Sequence, residues 1–151
     1  GKASSTDLVD VAASLDAVTR LIQPTAREHG VTIEVEPVPP GTHVRVNDAE
    51  LQQILLNLVL NGVQACRPGG RVRLEVPPGD PVRIRVSDDG CGVAPADQKK
   101  VFEPFFSLRQ GGTGLGLFLS LNFVRRWGGD IQLQSVAGEG STFEVRLPAA
   151  A

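Results

Sequence analysis

The chain has 151 residues, enough for one ordinary domain and little more. Hydrophobic residues make up 41% and charged residues 21%, which excludes general disorder. Lys and Arg number 15 against 17 Asp and Glu, a formal net charge of -2. That balance excludes a duplex-binding basic face, so no nucleic-acid partner is expected, but it leaves room for a local phosphate pocket. Cys66 and Cys91 cannot build a disulfide framework, and their separate settings lack metal-site spacing. The richest apolar run, residues 54–63, is broken by Asn57, Asn61 and Gly62 and is too short for a bilayer, so no membrane contact is expected. The polar opening does not read as a signal peptide. Gly1 and the absence of methionine suggest an excised fragment, with residues 1–6 a disordered leader or tag remnant and 149–151 a tail.

Leu8, Val11, Leu15, Val18 and Ile22 recur at helical spacing, which predicts a helix from about Leu8 to His29, stopped by Gly30. Val31, Ile33 and Val35 alternate with polar residues, as a half-buried strand does. A turn-rich connector follows, then a short strand from His43 to Val46. Asn47 with Glu50 three positions on reads as a helix start, and the helix runs to about Cys66 before Arg67-Pro68-Gly69-Gly70 ends it. Arg71 to Val76 and Val82 to Val86 read as a strand pair. A glycine-rich loop follows Asp88, then a short helical piece near Asp97 to Val101. A second glycine-rich loop, residues 111–116, opens an apolar helix reaching Trp127, closed by Gly128-Gly129. Strands from Ile131 to Ser135 and from Ser141 to Leu147 complete the pattern. Three helices and about five or six strands fit an α+β architecture of two layers, a mixed sheet covered on one face by helices.

Three motifs carry the chemistry. Asn57 and Asn61 lie one helical turn apart on one face. They fit either two buried asparagines satisfying a neighbour or a pocket floor meeting a cation and phosphate. Asp88, ending a strand before Gly90 and Gly92, fits either a tight turn or a partly buried carboxylate that accepts from an exocyclic amine of adenine. In the second reading the glycines let the backbone approach a flat ring. Residues 111–116 run into a helix, and free amides there make an anion site on a mobile lid. No Gly-Lys-Ser/Thr follows, so this is not a Walker loop, and no strand precedes it in the dinucleotide-binding manner.

The order decides among these readings. Asn57-x-x-x-Asn61, then Asp88-x-Gly90-x-Gly92, then Phe102-Glu103-Pro104-Phe105-Phe106, then Gly112-Thr113-Gly114-Leu115-Gly116-Leu117 resembles one family over nearly the whole chain, about 7–148. It is similar to the catalytic ATP-binding domain of bacterial sensor histidine kinases. These lie within the gyrase, heat-shock chaperone, histidine kinase and mismatch-repair superfamily. The resemblance implies a two-layer α/β sandwich of the Bergerat type, with a sheet of about five strands and three helices on one face. It implies Mg2+ on Asn61, Asn57 orienting the reacting groups near the phosphates, and Asp88 on the adenine amine. Gly90 and Gly92 would line the ring, with Val93, Val101 and Ala65 as apolar walls. Gly112, Thr113, Gly114, Leu115, Gly116 and Leu117 would form the lid against the phosphates. In Gly138-Glu139-Gly140-Ser141-Thr142-Phe143 a hydroxyl would support the aspartate, and strand parity favours Ser141 over Thr142.

Two departures from the family pattern stand out. Gln64 replaces a common lysine, and Ser107-Leu108-Arg109 replaces Thr-Thr-Lys, leaving Arg109 as a bidentate candidate for γ-phosphate. The short lid resembles the nitrogen-regulation type. His29 and His43 lack the long-helix setting of a phosphoacceptor and are expected to be surface residues, so the acceptor lies outside this chain. The resemblance thus implies a cytoplasmic histidine kinase domain whose parent can be membrane-anchored. Such a domain would bind ATP and Mg2+ and phosphorylate a histidine on a separate helical dimerisation domain, which would then serve a response-regulator receiver domain. The alternatives are ATP hydrolysis, which needs a base where Asn57 stands, and a non-catalytic nucleotide-binding module.

Overall fold

The computed structural model describes residues 5–107 and 114–150. Strand β1, Asp7–Asp10, comes first, and helix α1 covers Val11–Glu28. The expected start at Leu8 is therefore early by three residues. Asp10 caps the helix by accepting from the Ala12 N–H at 3.0 Å, so the residues before it are free to extend. Leu8 is exposed there, outside the apolar stripe formed by Val11, Leu15, Val18 and Ile22. Strand β2, Thr32–Val35, buries Ile33, whereas the alternation also predicted a buried Val35, which is exposed on this edge strand.

Strand β3, His43–Val46, leads into helix α2, Asp48–Ala65. Asn47 caps α2 as its position predicts, its side chain accepting from Glu50 N at 2.9 Å. Strand β4, Arg71–Glu75, and strand β5, Val82–Asp88, pair antiparallel. Helix α3, Pro95–Gln98, lies slightly earlier than expected because Pro95 sits at its first turn, where a missing N–H costs nothing. Helix α4, Gly116–Arg126, is followed by strand β6, Asp130–Val136, strand β7, Gly140–Leu147, and strand β8, Ala149–Ala150.

A five-stranded sheet has the order β2-β4-β5-β7-β6, with β2 and β4 parallel and the other pairs antiparallel. Helix α2 lies on this sheet beside α1 and α4. Leu51, Leu55 and Leu58 of α2 are fully buried with Leu15 of α1 and Leu74 and Ile84 of the sheet. The opposite face carries Arg83, Arg85, Gln132, Thr142, Glu144 and Arg146, so this sheet is covered on one side only. A buried Leu or Ile contributes roughly 1.5–3 kcal/mol, whereas an exposed ion pair contributes about 0–1 kcal/mol. The apolar layer therefore holds the helices to the sheet. A second sheet, β1-β3-β8, was not anticipated: Ala149 pairs with Val44, so the ordered structure passes beyond Pro148. Among the described residues no helix is long and apolar enough to cross a membrane.

Candidate functional site

Strand β5 ends at Asp88 beside the C-terminal half of α2, and the two enclose a cavity of about 460 Å³. Its lining includes Asn61, Gln64, Ala65, Asp88, Gly92 and Val93, with Ser141 and Phe143 from β7. Asp88 is half-buried, and the accompanying desolvation raises its pKa above the ordinary aspartate value. Hydrogen bonds from the backbones of Gly90 and Ser141 oppose the rise, Gly90 N lying 2.9 Å from Oδ1. Asp89 behaves oppositely. Its Oδ1 accepts from Arg71 N at 2.8 Å, and that bond lowers its pKa. Adjacent carboxylates thus divide two tasks: Asp89 ties the loop to β4, while Asp88 faces the cavity.

Asp89 also takes a hydrogen bond from the Cys66 thiol, whose pKa burial and the neighbouring carboxylates push up to about 12. Cys66 is held as a thiol. Cys91, by contrast, is exposed and lines the cavity.

The glycines of this loop answer to the protein's own backbone. A Cβ on residue 90 would stand 2.5 Å from the Ala65 carbonyl oxygen, and Cys91 N donates to that oxygen at 3.2 Å. Gly90 is buried against the end of α2 and does not line the cavity, contrary to the expectation that it flanks the ring. Gly92 does line it, with φ +68, and a Cβ there would run into the Val136 carbonyl.

Behind the loop lies a connected set of hydrogen bonds that the motifs did not reveal. Val93 N donates to Ser135 Oγ at 2.7 Å, and Ser135 Oγ donates to Gly140 O at 2.9 Å. Ser135 Oγ and Ser141 Oγ lie 2.8 Å apart. Gln98 Nε2 donates to Val93 O at 2.8 Å and to Ser135 O at 3.0 Å. Parity correctly puts Ser141 on the buried face, but its hydroxyl meets Ser135, and only its backbone bonds Asp88. Thr142 pairs with Ser87 on the other face.

Asn61 borders the Asp88 cavity, whereas Asn57, one turn earlier, borders a separate apolar recess of about 350 Å³ between α2 and α4. Ile54, Gly116 and Phe123 share that recess. Asn57 Nδ2 is buried with no partner among the described residues. A buried amide donor in that state leaves a hydrogen bond to be made by something that arrives. Gly114 O accepts from Phe105 N at 2.9 Å, and Leu115 precedes the first turn of α4. Val101 is buried in the core and does not form the expected wall of this cavity, and the side chain of Leu117, a residue expected to meet phosphates as part of the lid, is buried as well. Arg109, Gly112 and Thr113 lie outside the described residues. His29 is exposed as expected, yet it stands at the cavity's edge, its Nδ1 2.9 Å from Thr25 O. Among the described residues no cluster of three His, Cys, Asp or Glu side chains forms a metal cage.

The model of the family described as Histidine kinase-, DNA gyrase B-, and HSP90-like ATPase matches residues 46–151. This chain belongs to that family. The signal transduction histidine-protein kinase AtoS of Escherichia coli K12 is 41% identical over 100 residues, spanning 65% of this chain and 16% of that protein. Sensor histidine kinase ZraS of the same strain is 33% identical over 141 residues, spanning 93% of this chain and 30% of that protein. This histidine kinase-like ATPase chain thus spans less than a third of either curated relative. Full-length ShkA, solved in complex with AMPPNP, superposes with a TM-score of 0.87 at 32% identity, covering 99% of this chain and 32% of that one. The mycobacterial sensor histidine kinase MprB gives 0.84 at 25% identity, covering 95% and 97%. Both solved structures share the sheet-and-helix fold described above.

Proposed function

We propose that this domain binds Mg-ATP and transfers the γ-phosphoryl group to a histidine on a separate helical dimerisation domain. The observation that carries the reading is the placement of Asp88 and Asn61 on one cavity. Asp88 is a desolvated acceptor suited to an adenine amine, and Asn61 is a neutral oxygen donor suited to a hard cation. The residues present fit the group, because magnesium is ordinarily held by few protein ligands together with substrate phosphates and needs no all-protein cage. The partnerless Nδ2 of Asn57 adds a donor for an arriving acceptor. A solved relative of similar fold was crystallised with the ATP analogue AMPPNP, which supports nucleotide as the ligand class.

Each side chain then has a separate task. Asp88 selects and orients the base. Asn61 holds the metal, Asn57 orients the reacting groups, and Arg109 with Gly112, Thr113 and Gly114 meets the phosphates. When bound, Mg-ATP supplies the transferable phosphoryl group and neutralises part of its charge. A histidine acceptor brings its own lone pair, so positioning and charge neutralisation suffice without a protein base. That is why an amide at position 57 favours transfer over hydrolysis: it cannot take a proton from water near neutral pH. ATP is a cytoplasmic substrate, so the domain acts in the cytoplasm whether or not its parent is membrane-anchored. A receiver domain of a response regulator would take the phosphoryl group next.

Transfer from γ-labelled ATP to the helical domain of the parent polypeptide, read beside phosphate release by this chain alone, tests the reading. Acid-labile label on the helical domain with slow phosphate release is expected. Rapid release with no labelled histidine would establish the hydrolase instead, and nucleotide binding with neither outcome would establish the non-catalytic module.

A further inference from the structure

The hydrogen bonds around Ser135 fix where one proton lies, and that proton bears on what the cavity accepts. A serine hydroxyl has one donor and two acceptor positions. Ser135 Oγ meets three groups: Gly140 O, Val93 N and Ser141 Oγ. A carbonyl can only accept, so the Ser135 proton goes to Gly140 O. A backbone N–H can only donate, so Val93 fills one acceptor position. The remaining contact is then satisfied only if Ser141 donates and Ser135 accepts. Gln98, donating to Val93 O and Ser135 O, clamps both segments and keeps the Val93 N–H aimed at Ser135.

The consequence falls on the cavity. Ser141 lines it beside Asp88, and the Ser141 proton is turned away toward Ser135. What Ser141 and Asp88 offer a ligand is acceptor capacity only. We infer that Ser135 is a positioning residue that sets base selectivity: by drawing off the Ser141 proton it leaves an acceptor-only floor, which favours a base edge carrying an amine over one carrying a carbonyl oxygen. This rests on the reading of the cavity as the base pocket. Removal of the Ser135 hydroxyl frees the Ser141 proton to turn into the cavity and serve as a donor to a 6-oxo group.

The test measures the dissociation constants of ATP and of inosine triphosphate, which replaces the 6-amine by oxygen, by calorimetry on this chain and its variants. The unaltered chain is expected to prefer ATP by at least about tenfold. Ser135→Ala should narrow that preference to below about threefold, partly through tighter inosine triphosphate binding, and Ser135→Thr, which keeps the hydroxyl, should restore it. Equal weakening of both ligands in Ser135→Ala, with the ratio unchanged, would overturn the inference, because a purely structural role gives that result. Should Ser135→Ala fail to fold, Ser141→Ala decides: weaker ATP with unchanged inosine triphosphate supports the inference, and an unchanged ratio overturns it. No preference in the unaltered chain would instead overturn the base-pocket reading itself, and the inference with it.

Discussion

Gly116, the first residue of α4, lies against the carboxamide of Asn57 on α2: a Cβ at position 116 would stand 2.7 Å from Asn57 Nδ2 and 2.9 Å from Oδ1. The last glycine of the 111–116 loop therefore meets a side chain that the family pattern assigns to the reacting groups. Gly116→Ala is expected to displace the Asn57 amide, since the end of a short side chain yields more readily than the paired backbone of two helices. Phosphotransfer should fall at least about tenfold, equivalent to about 1.4 kcal/mol, with a smaller loss of nucleotide affinity. A double-mutant cycle with Asn57→Ala checks the mechanism. The two losses should be strongly non-additive, because once Asn57 is gone the added methyl has nothing left to displace.

That contact illustrates which parts of the molecule were legible beforehand. Asn47, Asp88 and Ser141 follow from local rules, namely a cap, a strand end and strand parity. Each depends on residues adjacent in sequence or on one strand. Gly90 was misread because the sequence shows that a close approach is needed but not by what, and the answer is the Ala65 carbonyl from another element. Val101 is apolar, so core and cavity wall are indistinguishable in the sequence, and packing places it in the core. Ser135 and Gln98 carry no motif, and their roles come from hydrogen bonds spanning 42 and 37 residues of sequence. The β1-β3-β8 sheet is a similar case: β3 reads from the sequence as His43 to Val46, but the four-residue β1 and two-residue β8 that flank it have too little pattern to register alone.

The two cysteines should separate chemically. The Cys66 thiol is donated to Asp89 and its pKa is pushed up to about 12, so almost none is thiolate at pH 8. Cys91 is exposed on the cavity. Iodoacetamide at pH 8, followed by peptide mass spectrometry, should label Cys91 well ahead of Cys66. Saturating ATP with magnesium should then slow Cys91 labelling by about fivefold or more, as occupancy of a binding site shields its lining. Unchanged labelling with nucleotide bound would move the ligand away from this cavity.

Asn61→Ala should reveal itself through the metal. The unaltered chain is expected to bind ATP more tightly with magnesium than with a chelator present, because on the proposed reading Asn61 would help hold the cation that neutralises the phosphates. In the variant that difference should largely disappear, while the affinity for metal-free ATP stays within about twofold of the unaltered chain. Calorimetry in paired magnesium and EDTA buffers reads both numbers. A variant that loses affinity equally in both buffers would show that Asn61 supports the pocket rather than the cation.

Asp88 carries the pH dependence. An unfolded aspartate titrates near about 3.9, and desolvation raises the folded value above that. Between the two values the folded domain holds a proton that the unfolded chain has released, so the stability of the nucleotide-free domain falls as pH rises through this window. The Asp88 contribution is therefore most favourable below about pH 4 and lost above the raised folded value. Nucleotide affinity runs the other way, because only the carboxylate is a full acceptor for an amine, so binding should strengthen over the same window and level off toward neutral pH. Asp88→Asn keeps the shape and removes the charge. At neutral pH the nucleotide-free variant should melt above the unaltered domain, and that gap should close as pH falls below about 4. Its ATP affinity should be at least tenfold weaker, about 1.4 kcal/mol, and insensitive to pH in this window. Thermal melts and calorimetry across the acid range check both halves. A variant that both melts lower at neutral pH and binds ATP undiminished would mean that Asp88 is retained for the fold rather than for the ligand.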